Sequence, residues 1–303
     1  MQKDLLSCEE ITRTDLEKII DLSAKLKRDR RSPNAPKPLE GHSVGMIFAK
    51  SSTRTRVSFE VGIHELGGYP VYLDQGKMQM GRGETPADTA RVLSRYLSGI
   101  VIRTYKHEEV VELAKFSSVP LINALTDDYH PCQALTDVFT MFEFAERLDG
   151  LKMAFLGDGA SNMANSLMLI CQTAGIDMAI GAPEQFRPRE DIMKRKLGPG
   201  KCTWTASPEE AVKDADFLYT DVWVSMGFEE EAKKRMQILE PYQLDMRLLN
   251  MAKPDAKVLH CLPAHRGEEI TEDVLESSKS IVFDQAENRL HVQKAIMSLM
   301  LAK

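Results

Sequence analysis

Val44-Gly45-Met46-Ile47-Phe48-Ala49 runs into Ser51-Ser52-Thr53-Arg54-Thr55-Arg56, and then into Val57, Phe59, Val61 and Ile63. The first segment is a short apolar run, the pattern of a parallel strand buried on both faces. The last residues recur at helical spacing. Between them lies a turn made of hydroxyls and arginines. A strand, a polar turn and a helix in that order form the unit of an α/β fold. The same unit repeats outward along the chain. Further apolar runs occur at Pro70–Leu73, Ile100–Ile102, Leu121–Leu125, Met153–Leu156, Met178–Ile180, Phe217–Tyr219 and Val258–Leu259. Helix starts lie between them. Thr14 with Glu17 reads as a capping box, and Thr85-Pro86 and Ser207-Pro208 place proline at the first helical position. Gly67-Gly68 and Gly175 read as helix stops.

A chain of 303 residues exceeds what one core usually serves, so two domains of about 150 residues are expected. A helix from about Pro131 ends in Asp149-Gly150, and a new strand–turn–helix begins at Met153. The expected division is therefore 1–149 and 150–284, with a last helix, 285–303, long enough to pack on either domain. Hydrophobic residues make up 43%, ordinary for a soluble globular protein. No apolar run approaches the roughly 20 residues of a membrane span. No apolar stretch after Met1-Gln2-Lys3-Asp4 reads as a signal peptide, so a cytoplasmic protein is expected. With 39 Lys+Arg against 45 Asp+Glu, the net charge of -6 argues against a nucleic-acid binder. The basic run Lys25–Arg31 reads as the solvated end of a helix. Cys8, Cys132, Cys171, Cys202 and Cys261 show no C-x-x-C spacing, which speaks against disulfides or structural zinc. His130/Cys132 and His260/Cys261 match no standard zinc pattern either.

Ser52, Arg103, His130, Asn162, Asp221 and Cys261 all follow shortly after an expected strand. Ligands bind at the carboxyl ends of strands in open α/β sheets, and packing alone does not explain so many polar groups there. At Ser52–Arg56 a helix N-terminus offers free N–H groups and a positive dipole end. Hydroxyls add donors, and the Arg54 fork matches phosphate oxygens. Arg103 ends an apolar run, where an unpaired buried arginine would be costly. His130, just before Pro131, can donate to a carbonyl oxygen.

Ser-Thr-Arg-Thr-Arg at 52–56, His-Pro-Cys-Gln at 130–133 and His-Cys-Leu-Pro at 260–263 resemble the signatures of the aspartate/ornithine carbamoyltransferases. Asp221-Val222-Trp223-Val224-Ser225-Met226-Gly227 marks the ornithine branch, together with 260–263. The resemblance extends to Gln79-Met80-Gly81-Arg82-Gly83-Glu84 and Glu287-Asn288-Arg289, and so covers the chain nearly end to end. It implies two parallel-sheet domains flanked by helices, with the last helix returning to the first domain. It implies transfer of the carbamoyl group of carbamoyl phosphate to the δ-amine of L-ornithine, giving L-citrulline and phosphate in arginine biosynthesis. No cofactor and no metal are implied. The assembly implied is a homotrimer or a multiple of trimers, with no nucleic-acid or membrane partner.

The same resemblance implies the roles. Ser52, Thr53, Arg54, Thr55, Gln79 and Arg289 bind carbamoyl phosphate, with Gln79 crossing a subunit boundary. Arg103, His130 and Thr55 polarise its carbonyl. Gln133 and the Leu262 carbonyl fix its NH₂. Asn162, Asp221, Ser225 and Met226 bind ornithine, and Cys261 with Asp221 faces its δ-amine. Two alternatives follow from the residues. Gly157-Asp158-Gly159-Ala160-Ser161-Asn162 is a partial dinucleotide fingerprint with Asn162 in place of the third glycine. Sister enzymes acting on aspartate, putrescine or an acylated ornithine share the first-domain motifs, but Asp221 and Ser225-Met226-Gly227 favour a free α-amino acid.

Overall fold

The computed structural model describes residues 1–224 and 232–302. The chain divides into two compact units, Met1–Phe139 with Glu287–Lys303, and Thr140–Ala286. The first holds β1 (Ser43–Phe48), β2 (Tyr69–Asp74), β3 (Gly99–Arg103) and β4 (Leu121–Leu125). Its helices are α1 (Arg13–Arg28), α2 (Thr53–Glu65), α3 (Pro86–Leu93), α4 (His107–Phe116) and the start of α5 (Pro131–Ala145). The second holds β5 (Lys152–Leu156), β6 (Asp177–Gly181), β7 (Cys202–Thr205), β8 (Phe217–Thr220) and β9 (Lys257–His260). Its helices are α6 (Asn162–Ala174), α7 (Glu190–Met193), α8 (Pro208–Val212), α9 (Ala232–Leu239), α10 (Met246–Met251) and α11 (Glu272–Leu275). The last helix, α12, spans Val282–Leu301 and ends in the first unit.

Both sheets are parallel, with strand orders β2-β1-β3-β4 and β7-β6-β5-β8-β9. The chain reverses direction between β1 and β3 in one sheet, and between β5 and β8 in the other. Those are the topological switch points, where open α/β sheets bind ligands. Register sharpens the placement. Phe48 pairs with Arg103, so the turn after β1 lies beside the end of β3. Leu156 pairs with Thr220, and Thr220 with His260, so Gly157, Asp221 and Cys261 leave the second sheet side by side.

In the first unit Ile47, Ile100 and Ile102 pack against Ala90, Val110 and Leu113. In the second, Ala154, Leu156, Leu218 and Val258 meet Ala211, Val212, Leu248 and Leu249. Burying each larger aliphatic contributes about 1.5–3 kcal/mol, enough to hold the strand ends in place. Thr85 and Ser207 cap their helices as expected, with Pro86 and Pro208 following. Gly67 and Gly175 adopt positive φ at helix ends, which only glycine does without cost. Lys25, Lys27 and Arg28 of the basic run lie in the last turn of α1, and Arg30 and Arg31 follow its end.

Five details differ from expectation. The run 70–73 reads as a buried strand, but β2 lies at the sheet edge and none of its residues is buried. The capping box of α1 is Thr12 with Asp15, two residues before Thr14 and Glu17; both pairs fit the spacing. α5 ends at Ala145, before Asp149-Gly150, as Glu146 takes a positive φ. α12 starts three residues before Gln285. β7 was not expected, because Cys202-Thr203-Trp204-Thr205 is a half-exposed edge strand with no apolar run.

Candidate active site

Ser52 sits in extended backbone as the cap of α2, and its Oγ accepts the Thr55 N–H at 3.2 Å. Capping uses an acceptor position and leaves the Ser52 hydroxyl proton to donate elsewhere. Thr53 is exposed and Arg54 partly buried beside it. Arg54 Nε is enclosed and has no hydrogen-bond partner among the described residues. Thr55 is fully buried and is the meeting point of two cations. Arg103 Nη1 donates to Thr55 Oγ1 at 3.4 Å, and Arg289 Nη2 donates to the same oxygen at 2.6 Å. Arg289 Nη1 also donates to Gln133 Oε1 at 3.0 Å. Two nearly buried guanidiniums on one hydroxyl concentrate positive charge at a helix N-terminus, which is the electrostatics of an anion site. His130 is buried next to them. Burial first, then the Arg289 and Arg103 charges, hold its pKa well below the usual histidine value. A neutral imidazole there can donate a hydrogen bond without adding charge.

The second unit gathers a different set. Asp221 follows β8 and Cys261 follows β9. Cys261 Sγ donates to Asp221 Oδ1 at 2.9 Å, and the Val222 N–H donates to the same oxygen at 2.8 Å. Burial raises the Asp221 carboxyl above its ordinary range, although His260, the Cys261 bond and the Val222 bond oppose this. An acidic group held in an apolar setting is poised for a cation. Leu262 takes φ +56°, a left-handed conformation that is costly for a branched side chain. Its N–H donates to His260 Nδ1 at 2.8 Å, and His260 Nε2 meets Glu269 Oε1 at 3.0 Å with both side chains fully buried. Asn162 is the first residue of α6, behind the Ser161 cap. Ser225 and Met226 lie outside the described residues.

Comparison with known proteins decides what these features belong to. Residues 3–143 match the aspartate/ornithine carbamoyltransferase carbamoyl-P binding domain, and residues 149–300 match the Asp/Orn binding domain of the same family. The chain belongs to the aspartate/ornithine carbamoyltransferase family. An ornithine carbamoyltransferase of Methanoculleus marisnigri is 50% identical over 303 residues, covering 100% of this chain and 98% of that protein. The solved ornithine carbamoyltransferase of Pyrococcus furiosus is 46% identical, with a TM-score of 0.95 over 99% of this chain and 97% of that one. The Thermus thermophilus structure is 39% identical with a TM-score of 0.91, covering 99% of each chain.

Within this carbamoyltransferase, Thr55, Arg103, Gln133 and Arg289 come together directly, with His130 among the two arginine charges. Asp221 and Cys261 also come together. Gln79 is exposed just before a short 3₁₀ turn, Met80–Arg82, in the segment expected as a loop. Supporting residues escaped the sequence reading. Gln133 Nε2 donates to Asp137 Oδ1 at 2.7 Å, an i, i+4 pair that helical spacing offers as a signal. The His260–Glu269 pair has no such signal, because a loop separates its members. Both His260 nitrogens are engaged, which removes that side chain as a metal ligand. His265, Glu268 and Glu269 bring donor atoms within 4.8 Å of one another, and Glu269 Oε1 accepts from His260 and from the His265 N–H at 2.6 Å. The Cys132 thiol is pushed up to about 12 by burial, so it is no nucleophile. The partial dinucleotide turn is also occupied. Gly159 N–H donates to the Phe186 carbonyl at 2.9 Å and is not available to a pyrophosphate. No helix of the described residues is long and apolar enough to cross a membrane.

Proposed function

We propose that the chain is an ornithine carbamoyltransferase, converting carbamoyl phosphate and L-ornithine to L-citrulline and phosphate. The observation that carries this reading is the convergence of Arg103 and Arg289 on Thr55 at the head of α2. It builds an anion cradle where the family binds carbamoyl phosphate. Ser52, Thr53, Arg54 and Thr55 hold the phosphate through hydroxyls, the helix N-terminus and the guanidinium fork. Arg103, His130 and Thr55 donate to the carbonyl oxygen as it becomes an oxyanion. Losing one such donor typically costs about 10²–10³ in rate. Neutral His130 suits this role, since it donates while the arginines supply the charge. Gln133 Oε1 has a second lone pair beyond the one Arg289 uses, and with the Leu262 carbonyl it accepts from the carbamoyl NH₂.

Asp221 pairs with the α-ammonium of ornithine, Ser225 assists, and Asn162 with the Met226 backbone takes the carboxylate. The δ-amine has an intrinsic pKa near lysine's, roughly 10.4, and attacks only as the free base. Its lone pair forms the C–N bond, the carbonyl electrons move to oxygen, and their return breaks the C–O bond to phosphate, which leaves with the proton that the attacking nitrogen sheds. Cys261, held by Asp221, faces this amine and orients it. No acyl-cysteine is needed, because the amine is the nucleophile. We further propose a cytoplasmic enzyme of arginine biosynthesis, assembled as a homotrimer or a multiple of trimers, with Gln79 reaching a neighbour's carbamoyl phosphate.

The test is a panel of amines with carbamoyl phosphate. L-ornithine should exceed aspartate, putrescine and N-acetylornithine by at least about 10³ in kcat/KM, because unpaired buried polar groups discriminate by that order. Comparable rates with putrescine would overturn the assignment.

A further inference from the structure

Lys50 has no role in the reading above, yet it is one of the most enclosed charges in the first unit, 7% exposed. It leaves the end of β1 two residues before the Ser52 cap. Its ammonium is ion-paired with Asp127, and lies 4.2 Å from the centroid of the Tyr105 ring. Those partners come from different loops. Tyr105 lies in the β3–α4 connection, two residues after Arg103. Asp127 lies in the β4–α5 connection, three residues before His130. The two loops are also joined by backbone, since Asp127 N–H donates to the Tyr105 carbonyl at 2.8 Å and Thr104 N–H to the Leu125 carbonyl at 3.0 Å. Ala49 N–H donates to the Arg103 carbonyl at 2.8 Å. The loops that carry Ser52–Thr55, Arg103 and His130 therefore meet on a single ammonium.

Burying a lysine costs free energy, and its pairing with a half-exposed carboxylate returns only part of that. What it adds here is geometry. We propose that Lys50 is a positioning residue for the carbamoyl phosphate site, clamping its three loops in register through Asp127 and the Tyr105 ring. The proposal rests on the carbamoyl phosphate assignment. Lys50 does not touch the reacting atoms. It sets the spacing of the groups that do, and small misplacements of such groups cost up to about 10²-fold in rate.

The experiment compares Lys50→Gln, Lys50→Arg, Asp127→Asn and the Lys50→Gln/Asp127→Asn pair by steady-state kinetics with both substrates varied. Lys50→Gln should raise KM for carbamoyl phosphate and lower kcat, each by about 10-fold or more, with KM for ornithine shifting far less. Asp127→Asn should reproduce this pattern, and the double variant should be no worse than either single one, because all three break the same link. Lys50→Arg should recover most of the loss, since a guanidinium pairs with carboxylate and stacks on an aromatic ring. Multiplying defects in the double variant overturn the clamp. So does tighter carbamoyl phosphate binding in Asp127→Asn, the result expected if Lys50 contacted the phosphate directly and Asp127 merely competed for it. Should Lys50→Gln fail to fold, Asp127→Asn decides alone, since its carboxylate is 49% exposed; an unchanged KM there rejects the proposal. Wild-type protein inactive with carbamoyl phosphate and ornithine would reject the function itself, whereas active wild type with normal variants rejects only the clamp.

Discussion

The site's residues differ in what their surroundings demand of them. Arg54 keeps its Nε enclosed without a partner among the described residues, so its hydrogen-bonding capacity is reserved for a ligand. A bond to a charged group contributes about 1.5–3 kcal/mol, so Arg54→Ala should raise KM for carbamoyl phosphate by about 10²-fold. Its melting temperature should stay near that of the parent, because the guanidinium serves no core. Normal KM in the purified variant would place the phosphate elsewhere. Asp221 makes the opposite bargain. Burial raises its folded pKa above 3.8, so its stability contribution is full below the unfolded pKa and is lost as pH rises through the folded one. At pH 7.5, where the unfolded chain is ionised, the buried carboxyl therefore costs the folded state stability relative to an uncharged side chain. Asp221→Asn keeps an oxygen for Cys261 and Val222 and removes the charge. It should melt at the same or a higher temperature than wild type at pH 7.5, while KM for ornithine rises steeply. A markedly lower melting temperature would contradict the sign of this shift. His130 adds no alkaline limb to the pH profile, as burial and the Arg289 and Arg103 charges hold its pKa well below the usual histidine value. Activity should instead climb through the neutral range into mild alkali as the δ-amine deprotonates, and a steady fall from pH 6 to 9 would exclude the free-amine attack.

At the scale of elements, the strand–turn–helix unit explains both the fold and the place of the site. The turn after β5 shows how tightly such a unit is built. A Cβ on Gly159 would come within 2.9 Å of the Phe186 carbonyl oxygen and 3.1 Å of Ile180. Gly159→Ala must therefore displace backbone, and a strained core substitution typically costs about 1–3 kcal/mol. The variant should melt lower and show a raised KM for ornithine, because the turn carries Asn162, with KM for carbamoyl phosphate less affected. A neutral effect on both would mean that the turn yields freely. Strands of this kind were legible because each apolar run, the exposed edge strand β2 included, is bounded by turn residues, and the caps Thr85 and Ser207 because proline follows them. β7 was not legible, since an edge strand with Thr203 exposed carries no apolar run. The residues of the site were legible by position, at strand ends, and by motif. Their partners were not. Gln133–Asp137 had only its helical spacing as a signal, His260–Glu269 depends on the path of one loop, and Lys50–Asp127 depends on which loops the strand order brings together; the order β2-β1-β3-β4 is not written in any local pattern.

For the whole molecule, the open question is whether one chain holds everything the reaction needs. In the single chain the segment from Gln79 to Glu84 closes on itself, as the Arg82 and Glu84 N–H groups donate to the Gln79 carbonyl at 2.7 and 3.0 Å. The Gln79 side chain is left exposed at its tip. A glutamine amide can donate to a phosphate oxygen without adding charge, which suits a site already rich in arginine. If a neighbouring subunit supplies this amide, sites can be repaired by mixing. Assayed with carbamoyl phosphate far below the raised KM of the Arg54 variant, Gln79→Ala and Arg54→Ala should each be nearly inactive. When the two are mixed under conditions that exchange subunits, some intact Arg54 sites will receive Gln79 from an Arg54→Ala neighbour and become wild type in composition. In randomly mixed trimers with equal amounts of each chain, half the subunits carry intact Arg54, and half of those meet a Gln79-bearing neighbour at the contributing interface. Activity should therefore recover to about a quarter of wild type, because complementation across an interface needs only the second chain's residue in place. Subunit exchange is checked independently with differently tagged chains. Full exchange with no recovery would show that each chain supplies its own Gln79, or that the amide stays outside the site.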